Sequence, residues 1–314
     1  MTLVLVRCVE CGRHRDAAMF AVASEVCREC SVQRASAPKV RRPNRTTLVG
    51  KQSRPLPPSS ELAAMVESGR AQFHQCTGAD VHHAHREAHR TGFYTMGHRV
   101  AGFITSLCVF PEGPLRGKPA TLMPFWFEII IELYRLRADG LRQYRRALIG
   151  LPKKSSKTTS LAWIALFHTI ADDEPSPKNV CAAANDDQAD LVFAAAKITC
   201  EEGAGARDAS PGFSLATMTE RWEKELLVPS KPGASLRRVA AGGGNLDGPN
   251  LYLRARDEVH EWTTAKSIAT YTVLSQGGAL REQPLSVDIT TAGWDRDTIA
   301  YRAYEHALKV MERP

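Results

Sequence analysis

The segment Arg146-Ala-Leu-Ile-Gly150 is followed by Leu151-Pro-Lys-Lys-Ser-Ser-Lys-Thr-Thr159 and then by the apolar stretch 160–170. The first run predicts a buried strand, and the last predicts a helix that begins at Lys157. A strand, a tight loop and a helix in this order often cradle nucleotide phosphates, because backbone N–H groups and the helix N-terminus bind anions. In this interpretation Lys157 reaches the β- and γ-phosphates and Thr158 ligates magnesium.

The loop departs from the usual phosphate-binding pattern at two positions. Ser156 stands where a glycine usually precedes the Lys-Thr pair, and Leu151 takes the leading glycine position, with Gly150 displaced by one. Because glycine lets the backbone approach a phosphate closely, we expect Ser156 to reshape the loop. A basic turn between a strand and a helix is the alternative interpretation. The residues expected to contact the nucleotide here are Pro152, Ser155, Ser156, Lys157, Thr158 and Thr159.

An acidic pair, Asp257-Glu258, follows the apolar run at 251–255. Such a pair at the end of a strand fits a Walker B element, in which Asp257 holds magnesium and Glu258 polarises the attacking water. An exposed helix start capped by Asp257 is the alternative. A strand buried on both faces should be apolar, so Arg254 and Arg256 predict that this strand ends near Leu253 or is irregular.

Short apolar runs alternate with helical segments through most of the chain, which predicts an α/β fold with a mostly parallel sheet flanked by helices. The predicted strands are 144–150, 178–184, 225–229, 236–240, 251–255 and 284–290. The predicted helices are 61–110, 124–138, 157–170, 187–202 and 297–310.

The 314-residue chain carries a formal net charge of +7, with basic residues concentrated at 39–54 and 135–157. This favours a polyanionic partner, although a solvated basic surface is an equal alternative. No apolar run approaches the roughly 20 residues that span a bilayer. We find no signal peptide, so we expect a cytoplasmic protein without membrane contact.

Four of the eight cysteines form the pattern Cys8-x2-Cys11-x15-Cys27-x2-Cys30, which matches tetrahedral zinc spacing. We predict a small structural zinc module over 1–35, since so short a segment cannot fold on apolar burial alone. Four free thiols in a disordered arm are the alternative. The other cysteines, Cys76, Cys108, Cys181 and Cys200, are predicted to be small buried hydrophobes.

A basic, proline-rich linker is predicted over 36–60, followed by a helical region over 61–112. His85 and His89 in that region would share a helix face, a spacing that can hold a metal. A polar helix face is the simpler interpretation.

From 113 to 314 the sequence resembles the large subunits of tailed-bacteriophage terminases, the enzymes that pump DNA into capsids. Four segments carry the resemblance: Leu151–Thr159, Asn179–Ala189, Asn245–Gly248 with Asp257–Trp262, and Asp288–Asp295. The second resembles the family's second strand and its following helix. The last resembles the coupling motif, in which Thr290 and Thr291 would transmit hydrolysis to DNA movement.

The resemblance implies a P-loop NTPase-type domain over 113–314 that binds ATP and Mg²⁺. Lys153 or Lys154 could supply a charge to the transition state, although family members often use arginine. The family usually reads adenine with a glutamine; that position is Trp126 here, so stacking would replace hydrogen bonding.

The resemblance also implies double-stranded DNA, a portal protein and a terminase small subunit as partners. It implies a homo-oligomeric ring at the procapsid portal in the host cytoplasm. Family members normally continue into a nuclease, and no nuclease activity is expected from this chain. The alternatives are a helicase-like P-loop ATPase and a non-catalytic, zinc-bearing remnant that binds DNA or the portal.

Overall fold

The computed structural model describes residues 2–7, 14–15, 59–75, 92–203, 214–242, 250–291 and 295–311. The helices in these ranges are α1 (Ser60–Glu67), α2 (Gly97–Leu107), α3 (Pro124–Leu133), α4 (Lys157–Ile170), α5 (Asp186–Glu202), α6 (Leu215–Met218), α7 (Ala265–Gln276) and α8 (Ile299–Met311). The strands are β1 (Thr2–Arg7), β2 (His14–Arg15), β3 (Gln72–His74), β4 (Phe93–Thr95), β5 (Arg146–Gly150), β6 (Lys178–Ala183), β7 (Glu220–Arg221), β8 (Glu225–Leu227), β9 (Ser235–Ala240), β10 (Leu253–Arg256) and β11 (Leu285–Thr290).

The main sheet has the strand order β2-β1-β5-β11-β10-β6-β9-β8-β7 in the described part of the chain. The strands from β1 to β9 in this order pair in parallel, and antiparallel strands lie only at the two edges. The predicted α/β fold with a mostly parallel sheet is therefore confirmed. Strand β11 lies between β5, which leads into the loop at 151–156, and β10, which leads into the acidic pair Asp257-Glu258.

Helix α4 is the central helix of the core. Thirteen of its fourteen residues, all except Thr158, are buried. Its apolar residues pack with those of β5, β10 and β11 in one cluster. A helix that is apolar on all sides is buried on all sides. The sequence predicted both of its ends correctly.

The helix predicted over 61–110 is wrong. The described residues of this segment form helices α1 and α2 and the antiparallel pair β3–β4. The apolar spacing that predicted a helix holds only over α1. After α1, Gly69 adopts a left-handed φ of 73°. Phe73 and Tyr94, which favour strands, pack edge to face across the pair. Helix α7 was not predicted at all.

Two elements include residues from the segments predicted to be the zinc module and the linker. Strand β1, which we assigned to the zinc module, pairs in parallel with β5 from Thr2↔Arg146 to Val6↔Gly150. These residues therefore extend the same sheet that carries the phosphate loop. Similarly, Ser59, assigned to the linker, caps α1 through a hydrogen bond from the Leu62 amide.

Strand β10 does not end at Leu253, because its two arginines have buried partners. Arg256 forms a two-pronged ion pair with Asp288 on β11 and stacks on Tyr271 at 3.8 Å from the ring centre. Arg254 donates to Ser286 Oγ at 2.8 Å. Arg256 thus has a buried carboxylate as partner and Arg254 a buried hydroxyl, and the strand stays regular through Arg256.

Two further predictions concern residues inside these ranges. Cys108, Cys181 and Cys200 are buried free thiols, as predicted. Among the described residues, no helix is long and apolar enough to cross a bilayer.

Candidate nucleotide-binding and hydrolysis site

The loop between β5 and α4 is held in a conformation that disfavours ordinary residues. Lys154 and Ser156 adopt left-handed φ angles of 65° and 57°. For an L-residue this conformation costs roughly 1–2 kcal/mol. At Ser156 the loop thus takes the backbone shape that usually requires glycine, without having glycine.

Trp126 on α3 supports this loop from behind. Its indole N–H donates to the carbonyl oxygen of Ser155 at 2.8 Å, and Ser155 Oγ donates to the carbonyl of Pro152 at 2.8 Å. Trp126 is 1% exposed. Its ring is therefore not available to stack on adenine, and the predicted role for this residue does not agree with its position. A structural contact to the loop takes its place.

Lys157 lies at the start of α4 with its side chain 6% exposed. Its Nζ donates to the carbonyl of Pro152 at 3.1 Å and lies 3.7 Å from Glu258 Oε1. The ammonium group is thus held at the mouth of the loop, beside the acidic pair. Lys153 and Lys154 are exposed on the same loop, and Thr159 is buried in the first turn of the helix.

Asp257 directly follows β10, and its backbone N–H continues the sheet by donating to Ala182 O at 2.9 Å. Thr158 Oγ1 donates to Asp257 Oδ2 at 2.9 Å, so the phosphate loop and the acidic pair are in contact. Burial raises the pKa of Asp257 to about 6. A buried carboxylate beside a hydroxyl is a donor set of hard oxygens, which fits Mg²⁺.

Glu258 connects three parts of the site from a left-handed backbone position, φ 42°. Its Oε2 accepts from the Thr291 N–H at 3.0 Å and lies 3.2 Å from His260 Nδ1, while Oε1 faces Lys157. Burial acts to raise the pKa of Glu258, but His260, the Lys157 ammonium and the Thr291 N–H hold it below its usual value. Glu258 is therefore an ionised carboxylate near neutral pH.

Thr290 is the last residue of β11, and Thr291 follows it between the two halves of the site. The carbonyl of Thr290 accepts from the Leu151 N–H at 3.0 Å, at the entry to the phosphate loop. Thr290 Oγ1 lies 2.9 Å from His260 Nδ1. The structure thus brings together Pro152, Ser155, Ser156, Lys157, Thr158, Asp257, Glu258, Thr290 and Thr291. Sequence reasoning missed His260, although it follows Glu258 by two residues.

Several predicted features fall outside the described residues. These are Cys8, Cys11, Cys27 and Cys30, the histidines His85 and His89, Cys76, the segment 245–248 and the end of the coupling motif at 292–294. Within the described ranges, no group of three or more His, Cys, Asp or Glu side chains is arranged to hold a metal. The zinc module remains a prediction.

A parallel sheet with an anion-binding loop at the carboxyl end of one strand and an acidic pair at the end of another is typical of α/β nucleotide-hydrolysing domains. The family model of the terminase large subunit ATPase domain matches residues 124–309. The chain belongs to this family. The match confirms the resemblance and favours it over the helicase-like alternative.

Individual relatives agree with this assignment. The large terminase subunit of Enterobacteria phage HK97 is 33% identical over 100 residues, which are 32% of this chain and 19% of that protein. The chain thus matches only about a fifth of the length of this curated relative.

The crystal structure of the HK97 large terminase superposes with a TM-score of 0.58 at 22% identity, over 69% of this chain and 42% of that chain. The large terminase ATPase domain of Thermus phage P74-26 gives a TM-score of 0.36 at 19% identity, over 53% and 68%. The first of these shows the shared fold.

Proposed function

We propose that this chain is an ATP-hydrolysing motor of phage DNA packaging, which couples hydrolysis to the movement of double-stranded DNA into a procapsid. The observation that carries the proposal is the meeting of Lys157, Thr158, Asp257, Glu258 and Thr291 at the carboxyl ends of adjacent parallel strands. Family membership and the basic net charge of +7 support the same function.

In the proposed mechanism the loop 152–159 and Lys157 bind the β- and γ-phosphates of ATP. Thr158 and Asp257 would hold Mg²⁺, which neutralises charge on the phosphate oxygens. Glu258, ionised and near the Lys157 ammonium, orients the attacking water. Lys153 and Lys154 are exposed at the loop and could add positive charge to the transition state.

The coupling step is assigned to Thr290 and Thr291. Both are buried, and each is linked to another part of the site, Thr291 to Glu258 and Thr290 to Leu151. A change at the γ-phosphate position would therefore move the end of β11. The proposed partners are double-stranded DNA, a portal protein, a small subunit and further copies of this chain in a ring.

The test is Mg²⁺-dependent ATP hydrolysis, with and without double-stranded DNA, by the wild type and by Lys157→Ala. We expect DNA-stimulated turnover that Lys157→Ala abolishes. The matched control is Lys178→Ala, which removes an exposed lysine from the opposite end of the sheet. Since DNA contact should be mainly to phosphates, the stimulation should fall steeply with salt.

If the wild type neither binds nor hydrolyses ATP, the motor proposal fails, and the non-catalytic remnant becomes the better account.

A further inference from the structure

His260 lies in a short 3-10 turn, Val259–Glu261, directly after the acidic pair. Its Nδ1 is 2.9 Å from Thr290 Oγ1 and 3.2 Å from Glu258 Oε2. One imidazole nitrogen thus contacts both the carboxylate assigned to hydrolysis and the hydroxyl at the end of the coupling strand.

The hydrogen-bond inventory of Thr290 decides which nitrogen carries the proton. A hydroxyl has one hydrogen, and that of Thr290 is donated to the carbonyl of Thr291 at 2.9 Å. With that hydrogen engaged, Thr290 Oγ1 is left to accept from His260, and we infer that Nδ1 carries a hydrogen. The second neighbour of Nδ1, Glu258 Oε2, is also an acceptor, and both contacts agree on an Nδ1–H donor.

We propose that His260 is a positioning residue that ties the Glu258 carboxylate to the coupling strand through this shared Nδ1–H. With the Thr291 N–H, it fixes Glu258 Oε2 from two sides and leaves Oε1 directed at Lys157. The orientation of the hydrolytic carboxylate then depends on the position of Thr290, the last residue of β11, and of Thr291, which follows it. This inference rests on the proposed ATPase function.

The other ring nitrogen makes a weaker contact. His260 Nε2 is 3.8 Å from Glu261 Oε1, and Glu261 is exposed and hydrogen-bonded to Gln188. The proposed role depends on Nδ1 and not on Nε2. A substitution that restores an N–H at only one of these positions therefore distinguishes the proposed role from a general packing role. Asparagine can place an amide N–H near the Nδ1 position, whereas glutamine places one near the Nε2 position.

The experiment compares His260→Ala, His260→Asn and His260→Gln in the full chain, with Glu261→Gln as the matched control on the Nε2 side. For each, kcat for ATP with and without DNA is measured beside the dissociation constant of a fluorescent ATP analogue. We expect His260→Ala to lower kcat by about 10- to 100-fold, because a misplaced catalytic group costs on this order. Nucleotide affinity should stay within about twofold, since the loop and Lys157 are unchanged.

Rescue by His260→Asn but not by His260→Gln, with Glu261→Gln unaffected, supports the proposal. Equal losses in the asparagine and glutamine variants, or parallel losses of kcat and nucleotide affinity, would indicate a structural role and overturn it. An active wild type with an equally active His260→Ala also overturns it while the ATPase proposal stands. A wild type without nucleotide binding defeats the ATPase proposal, and the catalytic role of His260 with it.

The contact itself is tested without turnover. Long-range ¹H–¹⁵N spectra of the histidine side chains, assigned to His260 by comparison with His260→Asn, report the tautomer. The proposal requires a hydrogen on Nδ1. A neutral ring protonated only at Nε2 would falsify it, whatever the kinetics show.

Discussion

Both ends of the parallel sheet bury charged side chains, but the partners of those charges differ. At the amino end, Arg142 donates to Asp172 Oδ2 at 2.7 Å, and Tyr252 donates to the same oxygen at 2.8 Å. His168 Nδ1 lies 3.1 Å from that oxygen. Burial acts to raise the pKa of Asp172, but Arg142 and His168 hold it well below its usual value. This carboxylate is satisfied within the protein.

At the carboxyl end, the buried carboxylate has no such partner among the described residues. Asp257 accepts from the Thr158 hydroxyl and the Glu258 N–H, and burial raises its pKa to about 6. The ammonium group of Lys157, 3.7 Å from Glu258 Oε1, acts to lower the pKa of Asp257, but burial outweighs it. Two buried aspartates in one fold thus have opposite pKa shifts. The end with the unmatched carboxylate is the end that is suited to bind a cation and a phosphate.

The largest expected effect comes from breaking the amino-end pair. Arg142→Met leaves Asp172 buried without its cation, which should lower the free energy of unfolding by about 3–5 kcal/mol. Lys157→Met at the other end should change it by less than about 1 kcal/mol, because Glu258 is partly exposed and the charges are 3.7 Å apart. Urea unfolding at pH 8 in EDTA measures the change in the free energy of unfolding for each of the two variants.

The double variant Arg142→Met/Asp172→Asn serves as the control for the first substitution. Removing both charges should recover part of the loss. Equal destabilisation by Arg142→Met and Lys157→Met would show that the two ends bury charge in the same way, contrary to the comparison.

An intermediate effect is expected from Asp257→Asn. The pKa of Asp257 in the folded protein, about 6, lies above 3.8, the ordinary value of an aspartate. The ionised form therefore costs stability above pH 6, and the cost disappears as the pH falls from 6 towards 4. Without metal, Asp257→Asn should gain about 1–3 kcal/mol at pH 8, since each pKa unit is worth about 1.4 kcal/mol. The gain should vanish near pH 4.

Urea unfolding curves at pH 8 and pH 4 in EDTA show whether Asp257→Asn raises the free energy of unfolding at the higher pH only. Asp288→Asn is the contrasting variant, because Asp288 is paired with Arg256 and its loss should destabilise the protein at pH 8. A loss of stability at pH 8 in Asp257→Asn would contradict the unmatched-carboxylate interpretation. Mg²⁺ should stabilise the wild type more than it stabilises Asp257→Asn.

The sequence was sufficient for the elements that bury the most apolar surface. Helix α4 and the strands β5 and β6 are mainly apolar, so their apolar runs located them. The strands β9 and β11 mix apolar with polar residues, and this pattern also placed them close to their observed bounds. Where charged residues are buried within a strand, the hydropathy pattern predicted the end of that strand incorrectly. Arg254 and Arg256 looked like the end of a strand, because their partners Ser286 and Asp288 are distant in sequence.

In the candidate site, too, the sequence located the residues that belong to local patterns and missed those that depend on distant contacts. Lys157, Thr158, Asp257 and Glu258 belong to recognisable local patterns, and their meeting follows from the parallel sheet. His260 and the support of the loop by Trp126 depend on contacts across 30 and 29 residues of sequence. Only the tertiary arrangement reveals such pairs, since a lone histidine or tryptophan has many possible roles.

The smallest expected effect concerns the strained loop at the carboxyl end. Lys154 and Lys153 are adjacent, exposed lysines, but only Lys154 has a left-handed φ. Lys154→Gly should relieve roughly 1–2 kcal/mol of strain and lose roughly 0.5–1 kcal/mol through unfolded-chain entropy. It should therefore gain about 0.5–1 kcal/mol, whereas Lys153→Gly should lose a similar amount.

Ser156→Gly should gain as Lys154→Gly does, since Ser156 has the same backbone conformation and makes no side-chain capping bond to α4. The free energy of unfolding of the three variants, measured by urea titration in EDTA, separates backbone strain from lost side-chain contacts. If all three glycine variants lose stability alike, the left-handed conformation carries no cost. The comparison of the two ends would then rest on their buried charges alone.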